Sequence, residues 1–282
     1  MSIEIKDISK SFASTQALSR VNITFENNKI YGLLGRNGAG KTTLLNIITN
    51  RIFADEGEVL VDGIPSKEND LALQKIYLMS EKNYYPLNMK VKEIFEWTKN
   101  FYPDFDMEYA KKLAEVFELN INKNVKSLST GYNSIFKVII ALSVNTPYVL
   151  LDEPVLGLDA NHRDVFYRLL IEKYSNSPST IVISTHLIEE VSTVIEDVII
   201  IKKGIIIKNE SREDLLSQGY TISGKSSSVD SFIVDKNVIG IETIGGLKSA
   251  FILGNINKET IATDLEVTKL DLQKLFIQLT NA

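Results

Sequence analysis

"GLLGRNGAGKTTLLNII", Gly32 to Ile48, sets three glycines and a lysine between an apolar run and a stretch of helical character. Glycine in such a turn costs backbone entropy, so the position calls for bare amides or a close backbone approach. The spacing Gly35-x-x-x-x-Gly40-Lys41-Thr42, with Gly38 as an additional glycine, fits a phosphate-binding loop. In such a loop the amides around Asn37, Gly38, Ala39 and Gly40 point inward at phosphate oxygens. The helix opening at Lys41, Thr42 and Thr43 adds its positive end. Lys41 then reaches the β- and γ-phosphates, and the Thr42 hydroxyl ligates Mg²⁺. A glycine-rich surface turn is the competing reading. A strand before and a helix after weigh against it.

A second signal lies far along the chain in "YVLLDEPVLGLD", Tyr148 to Asp159. Four apolar residues followed by Asp152 and Glu153 describe a buried strand that delivers two carboxylates at its carboxyl end, where α/β sheets bind ligands. Asp152 suits the Mg²⁺ shell and Glu153 the polarisation of an attacking water. By itself this is also how a strand edge meets solvent; paired with Lys41 it becomes a site.

The bulk properties admit such a protein. The 282 residues can bury a sizeable core, and 44% apolar with 24% charged residues is ordinary for globular chains. A net charge of −5 argues against a broad basic surface for nucleic acid. With no cysteine there is no disulfide, thiolate metal site or cysteine nucleophile, in keeping with a reducing compartment. The start MSIEIKDISKSF does not read as a signal peptide. No apolar run approaches the roughly 20 residues that cross a bilayer. A soluble chain whose membrane role comes through a partner is expected.

Strands are expected at Ile3–Ile8, Val21–Phe25, Ile30–Leu34, Glu58–Val61 and Ile76–Met79, and a helix from Lys41 to Thr49. From Val91 to Asn145 the pattern is helical, with Tyr109, Leu113, Val116 and Phe117 on one face and Ile135–Leu142 on another. Strands return at Tyr148–Leu151, Thr180–Ser184, Val198–Ile201 and Ile205–Lys208, with helices at Arg163–Tyr174 and Leu187–Ile195. Apolar strands alternating with helices predict parallel pairing covered on both faces. "SGKSSSVDS", Ser223 to Ser231, reads as a loop near a domain boundary. Beyond it come short strands at Phe232–Val234, Val238–Ile244 and Ala250–Leu253 and a helix at Lys269–Leu279.

With these motifs the chain resembles the ATP-binding cassette (ABC) ATPases over roughly residues 2–218. The resemblance implies an α/β P-loop NTPase fold with a mixed sheet core. It places the ATPase domain at 1–218, an inserted helical subdomain at about 86–145 and a small α+β extension at 219–282. "LSTGY", Leu128 to Tyr132, stands where the family carries Leu-Ser-Gly-Gly-Gln, so Ser129 and Gly131 are implied to touch the γ-phosphate, while Thr130 and Tyr132 depart. A plain helix cap at Ser129 is compatible with that role. Gly157 to Asp159 resembles the D-loop, and His186 in "STHLIEEV" the switch histidine; His162 reads instead as an exposed residue at a helix start. Phe12 matches the aromatic that stacks on adenine, a turn or core aromatic being the alternative. The family's glutamine after the strand Ile76–Met79 is missing; Ser80 or Glu81 stands there.

The resemblance further implies a machine that binds ATP and Mg²⁺ and hydrolyses the nucleotide. Ser129 and Gly131 of one subunit close on the ATP held by Lys41 of another, in a head-to-tail homodimer or a heterodimer with a related ATPase. The partners implied are separately encoded transmembrane permease subunits, which places the chain in the cytoplasm at the inner face of the membrane. The last helix and the helical lobe resemble exporters of drugs, peptides and other amphipathic compounds. An importer subunit, or a soluble ABC ATPase acting on ribosomes or nucleic acid, is the alternative. A single cassette with no cysteines and no heptad arm speaks against the latter, and no nucleic-acid partner is expected.

Overall fold

Ile30–Leu34 (β3), Tyr148–Asp152 (β7) and Thr180–Thr185 (β8) are buried at every residue, which requires cover on both faces of the sheet they form. The computed structural model describes residues 1–256 and 261–281 and supplies that cover. Ile76–Met79 (β6), Asp197–Lys202 (β9) and Ile205–Ser211 (β10) complete a six-stranded sheet in the order β10-β9-β3-β8-β7-β6. All pairs in it are parallel except β9 with β10. Alternation along each strand separates two cores. Leu33, Leu78, Leu150, Val182 and Ile199 face one way, against Lys41–Ile48 (α1) and an antiparallel sheet. That second sheet is built from Ser2–Phe12 (β1), Thr15–Glu26 (β2), Glu56–Val61 (β4) and Ile64–Pro65 (β5). Leu34, Met79, Leu151, Ile183 and Ile200 face the other way, toward the helices.

Asp70–Leu73 (α2) is a single turn before β6. The expected helical lobe comprises Val91–Phe101 (α3), Met107–Val116 (α4) and Thr130–Ser143 (α5), with a 3₁₀ turn at Val125–Ser127. Phe95 and Phe136 stack inside it at a centroid distance of 6.4 Å. Of the face expected on α4, Leu113 and Phe117 are fully buried, but Val116 is 45% exposed and points away from the core. Ala160–Asn176 (α6) contains the helix expected at 163–174, and Ile188–Val191 (α7) is shorter than expected.

After Arg212–Ser217 (α8) the chain forms a four-stranded antiparallel sheet, β12-β13-β11-β14. Its strands are Gly219–Lys225 (β11), Val238–Ile244 (β12), Leu247–Leu253 (β13) and Glu266–Lys269 (β14). The serine-rich run is therefore not a loop: it ends β11 and forms Ser226–Phe232 (α9), of which only Val229 is buried. The strand expected at 232–234 does not form: Phe232 ends that helix, and Ile233 and Val234 follow it as a bend and turn. Leu272–Asn281 (α10) starts three residues later than expected because Lys269 pairs with Tyr220 in the sheet. Leu270, Leu272, Leu275 and Phe276 pack into the same core as Leu215, Ile188 and Val191.

Candidate functional site

The loop after β3 is shaped by backbone contacts that tolerate no side chain. A Cβ on Gly35 would lie 2.8 Å from the Ile201 carbonyl, and one on Gly40 would lie 2.6 Å from the Ala17 carbonyl. Gly40 also has φ 111°, a conformation open to glycine alone at little cost. It opens α1 with no side chain capping the first turn, so the helix's leading amides remain available to an anion. Lys41, 6% exposed, donates from Nζ to the Gly35 carbonyl at 2.6 Å and stands 3.6 Å from Glu153 Oε1. Burial lowers its pKa, and the charges of Glu153 and Asp152 work against that. A buried ammonium under such strain favours a polyanionic ligand.

The two carboxylates sit where β7 ends. Asp152 accepts hydrogen bonds from Thr42 Oγ1 and Ser184 Oγ, both at 2.9 Å. Burial pushes its pKa up, opposed by those two hydroxyls. Glu153 adopts φ 49°, uncommon for a residue with a side chain, and its amide donates to the Ser184 carbonyl at 2.8 Å. Thr185 Oγ1 donates to Glu153 Oε2 and His186 Nδ1 to Oε1, each at 2.9 Å. The hydroxyls of Ser184 and Thr185 thus orient both acids. Sequence reasoning overlooked them, although polar "STH" closing an apolar strand was the available signal.

Asn37 to Thr43, Glu81, Glu153 and His186 line one cavity of 480 Å³, joined by Arg36, Leu156 and Thr15–Ala17, the start of β2 just past the β1–β2 turn. Phe12 stands at the end of β1 next to that turn, 47% exposed, outside the cavity lining. Ser129, Gly131 and Asp159 do not line it either. Ser129 caps α5 through the Tyr132 amide, and Asp159 caps α6 by accepting from the His162 amide at 2.9 Å. His162 is half-buried rather than exposed, its Nδ1 2.8 Å from Asp159 Oδ2 and its ring over Phe117. Gly131 is in tight contact with the D-loop, a Cβ there falling 2.9 Å from the Gly157 carbonyl, and Ser134 Oγ donates to the Leu156 carbonyl at 2.7 Å.

Of the two candidates after β6, only Glu81 lines the cavity. The Ser80 hydroxyl accepts from Arg51 Nη1 at 2.6 Å, on the side of an adjoining groove.

Thr42 Oγ1 and Asp152 Oδ2 are oxygen donors suited to a hard divalent cation. Among the described residues no group of three or more His, Asp or Glu side chains could hold a metal alone. The pair fits Mg²⁺ that brings phosphate oxygens as its remaining ligands.

Residues 18–156 match the family model described as ABC transporter. YtrB, an ABC transporter ATP-binding protein of Bacillus subtilis (strain 168), is 34% identical over 189 residues, 67% of this chain and 65% of its own length. AlbC, a putative ABC transporter ATP-binding protein of the same organism, is 33% identical over 202 residues, 67% of this chain and 83% of its own. A bacterial ABC transporter cassette solved as a dimer superposes with a TM-score of 0.67 at 25% identity, covering 74% of this chain and 98% of that one. The chain therefore belongs to the ABC transporter ATP-binding proteins. Relatives named for petrobactin import and methionine import match it, as does one named a lipid A-core flippase.

Proposed function

We propose that the chain hydrolyses Mg·ATP and uses the cycle to drive a separately encoded membrane permease that exports amphipathic compounds such as peptides or antibiotics. One observation carries the catalytic part: Lys41, Asp152, Glu153 and His186 converge at the mouth of the glycine loop, linked by short polar contacts. Thr42 and Asp152 would hold Mg²⁺, which would supply positive charge to offset that of the phosphates. Lys41, released from the Gly35 carbonyl, moves to phosphate oxygens. Glu153 takes the proton of the attacking water, held in orientation by His186 and Thr185. Because Ser129, Gly131 and Asp159 lie outside the chain's own cavity, their action requires a second subunit placed head to tail. That a similar cassette was solved as a dimer supports pairing of two subunits.

Nucleotide then holds the closed pair together and hydrolysis releases it, a ligand-biased two-state element able to do work on a partner. Among the described residues no helix is long and apolar enough to cross a membrane; in this reading the permease carries the membrane step. A groove of 310 Å³ between sheet and helical lobe, rimmed by exposed Tyr84, Trp97 and Phe101, offers a place for that partner to dock. Export rather than import rests on the resemblance of the helical lobe and last helix to exporter subunits.

Glu153→Gln tests the central claim. Hydrolysis should slow roughly 10²- to 10⁴-fold with ATP binding intact, the usual span for loss of a general base. Equal turnover would remove Glu153 from that role. Recovery of the tagged chain from membranes together with its permease tests the partner, and cargo loaded into vesicles against ATP tests the direction.

A further inference from the structure

Two departures from expectation meet at one point. Glu81 brings an exposed carboxylate into the nucleotide cavity where the family places a neutral glutamine. Lys137 is only 6% exposed in α5, between Phe136 and Val138, which are fully buried. Each is awkward alone. A third acid beside Asp152 and Glu153 repels a triphosphate, and a lysine inside an apolar helix is disfavoured unless paired and hydrogen-bonded.

Lys137 Nζ donates to the Ser80 carbonyl at 3.0 Å and to the Glu81 carbonyl at 2.7 Å. Burial lowers its pKa, and the charges that act the other way belong to Glu81 first and Asp152 second. Glu81 also acts on Lys41. Lys137 thus adds a buried positive charge behind the loop that carries Glu81, beside the cavity that Lys41, Glu81 and Glu153 line. The same short loop is tied from its other side by Arg51, just past α1, whose guanidinium donates to Ser80 Oγ at 2.6 Å and to the Leu78 carbonyl at 3.4 Å.

We infer that Lys137 is a positioning residue that works as a unit with Glu81: it ties the loop to the signature helix and its charge lets a carboxylate occupy the glutamine position. The reading rests on the proposed ATPase function. Through Lys137, α5, which begins at Thr130 just past Ser129, holds the Glu81 loop directly. Removing both charges together, the carboxylate by Glu81→Gln and the ammonium by Lys137→Met, should restore much of what the loss of the lysine alone disturbs.

The test is a double-mutant cycle in the full chain with Mg·ATP as probe. Lys137→Met should weaken Mg·ATP binding by roughly tenfold, because the Glu81 loop loses its tie and the Glu81 charge its nearest balance beside the cavity. Glu81→Gln added to Lys137→Met should return the affinity to within about threefold of wild type, and turnover should follow. Lys137→Arg, which keeps the charge, should stay near wild type. Should the methionine variant fail to fold, Lys137→Gln retains a donor for the two carbonyls and takes its place. Losses that multiply in the double variant, or a Lys137→Met chain that binds as wild type does, overturn the pairing. A wild-type chain that binds Mg·ATP without turning it over counts against the ATPase reading, while the affinity cycle still decides the role of Lys137.

Discussion

Lys41 is a buried charge whose surroundings favour a polyanionic ligand. Its ammonium has Gly35 O at 2.6 Å and Glu153 at 3.6 Å, and burial leaves it short of compensation. A polyphosphate relieves that shortage with several charge-assisted bonds, each about twice as strong as a neutral one. Lys41→Ala should therefore cut ATP affinity by roughly tenfold or more, measured by calorimetry. Unchanged affinity would show that the loop amides suffice. Glu153 sits one residue beyond Asp152 yet points to different partners, because its left-handed backbone turns it toward Thr185 and His186. Two adjacent acids thereby acquire different environments, one toward the Thr42 hydroxyl and one toward the histidine.

At the scale of elements, β6 and the loop behind it form a tyrosine-lined wall of the groove. Tyr77 and Tyr85 share a hydrogen bond of 2.8 Å between hydroxyls, and Tyr102 donates to the Ile76 carbonyl at 3.2 Å. Burial raises the pKa of Tyr85 to about 12. The folded chain holds that proton more tightly than the unfolded chain, whose tyrosines titrate near 10. Its contribution to stability is complete below about pH 10 and is lost as pH climbs toward the folded value. Tyr85→Phe has no proton to lose there. It should be less stable than wild type at neutral pH by about 1 kcal/mol through the missing hydrogen bond, and that gap should narrow between about pH 10 and 12. Denaturant titrations at several pH values measure it, and a constant gap would contradict the assignment.

For the whole molecule, the C-terminal sheet and α10 are built into the core. Leu270, Leu272, Leu275 and Phe276 share that core with Leu215 and with α7, the helix that follows His186, and Arg36 of the glycine loop donates to Asn281 Oδ1 at 3.2 Å. We propose that residues 219–282 act as an accessory unit seated on the switch-histidine helix rather than as a tethered module. A chain ended at residue 218 should melt roughly 5 °C or more below the full chain, because several apolar side chains lose their cover. An unchanged melting curve would mark the extension as structurally independent.

How much of this could be read in advance differs by region, for physical reasons. The glycine loop, the strand ending in Asp152 and Glu153, and the parallel sheet were legible because each depends on short-range demands: φ values open to glycine, unbroken apolar runs, spacing. The 223–231 run was misread because its serines carry no apolar periodicity; only pairing with β13 and β14 makes β11 a strand, and the packing of Val229 makes α9 a helix. Val116 faces outward and His162 half inward, since helix rotation is set by neighbours that composition does not name. The choice between Ser80 and Glu81, and the meeting of Lys137 with their carbonyls, required residues over fifty positions apart to be brought together. The sequence alone determined that the chain has a nucleotide loop, two acids at a strand end and a helical insert, because local chemistry specifies them. Which side chains line the cavity beside that loop, and which cation meets the carbonyls after β6, was decided only by tertiary packing, because contacts across such separations depend on the whole fold.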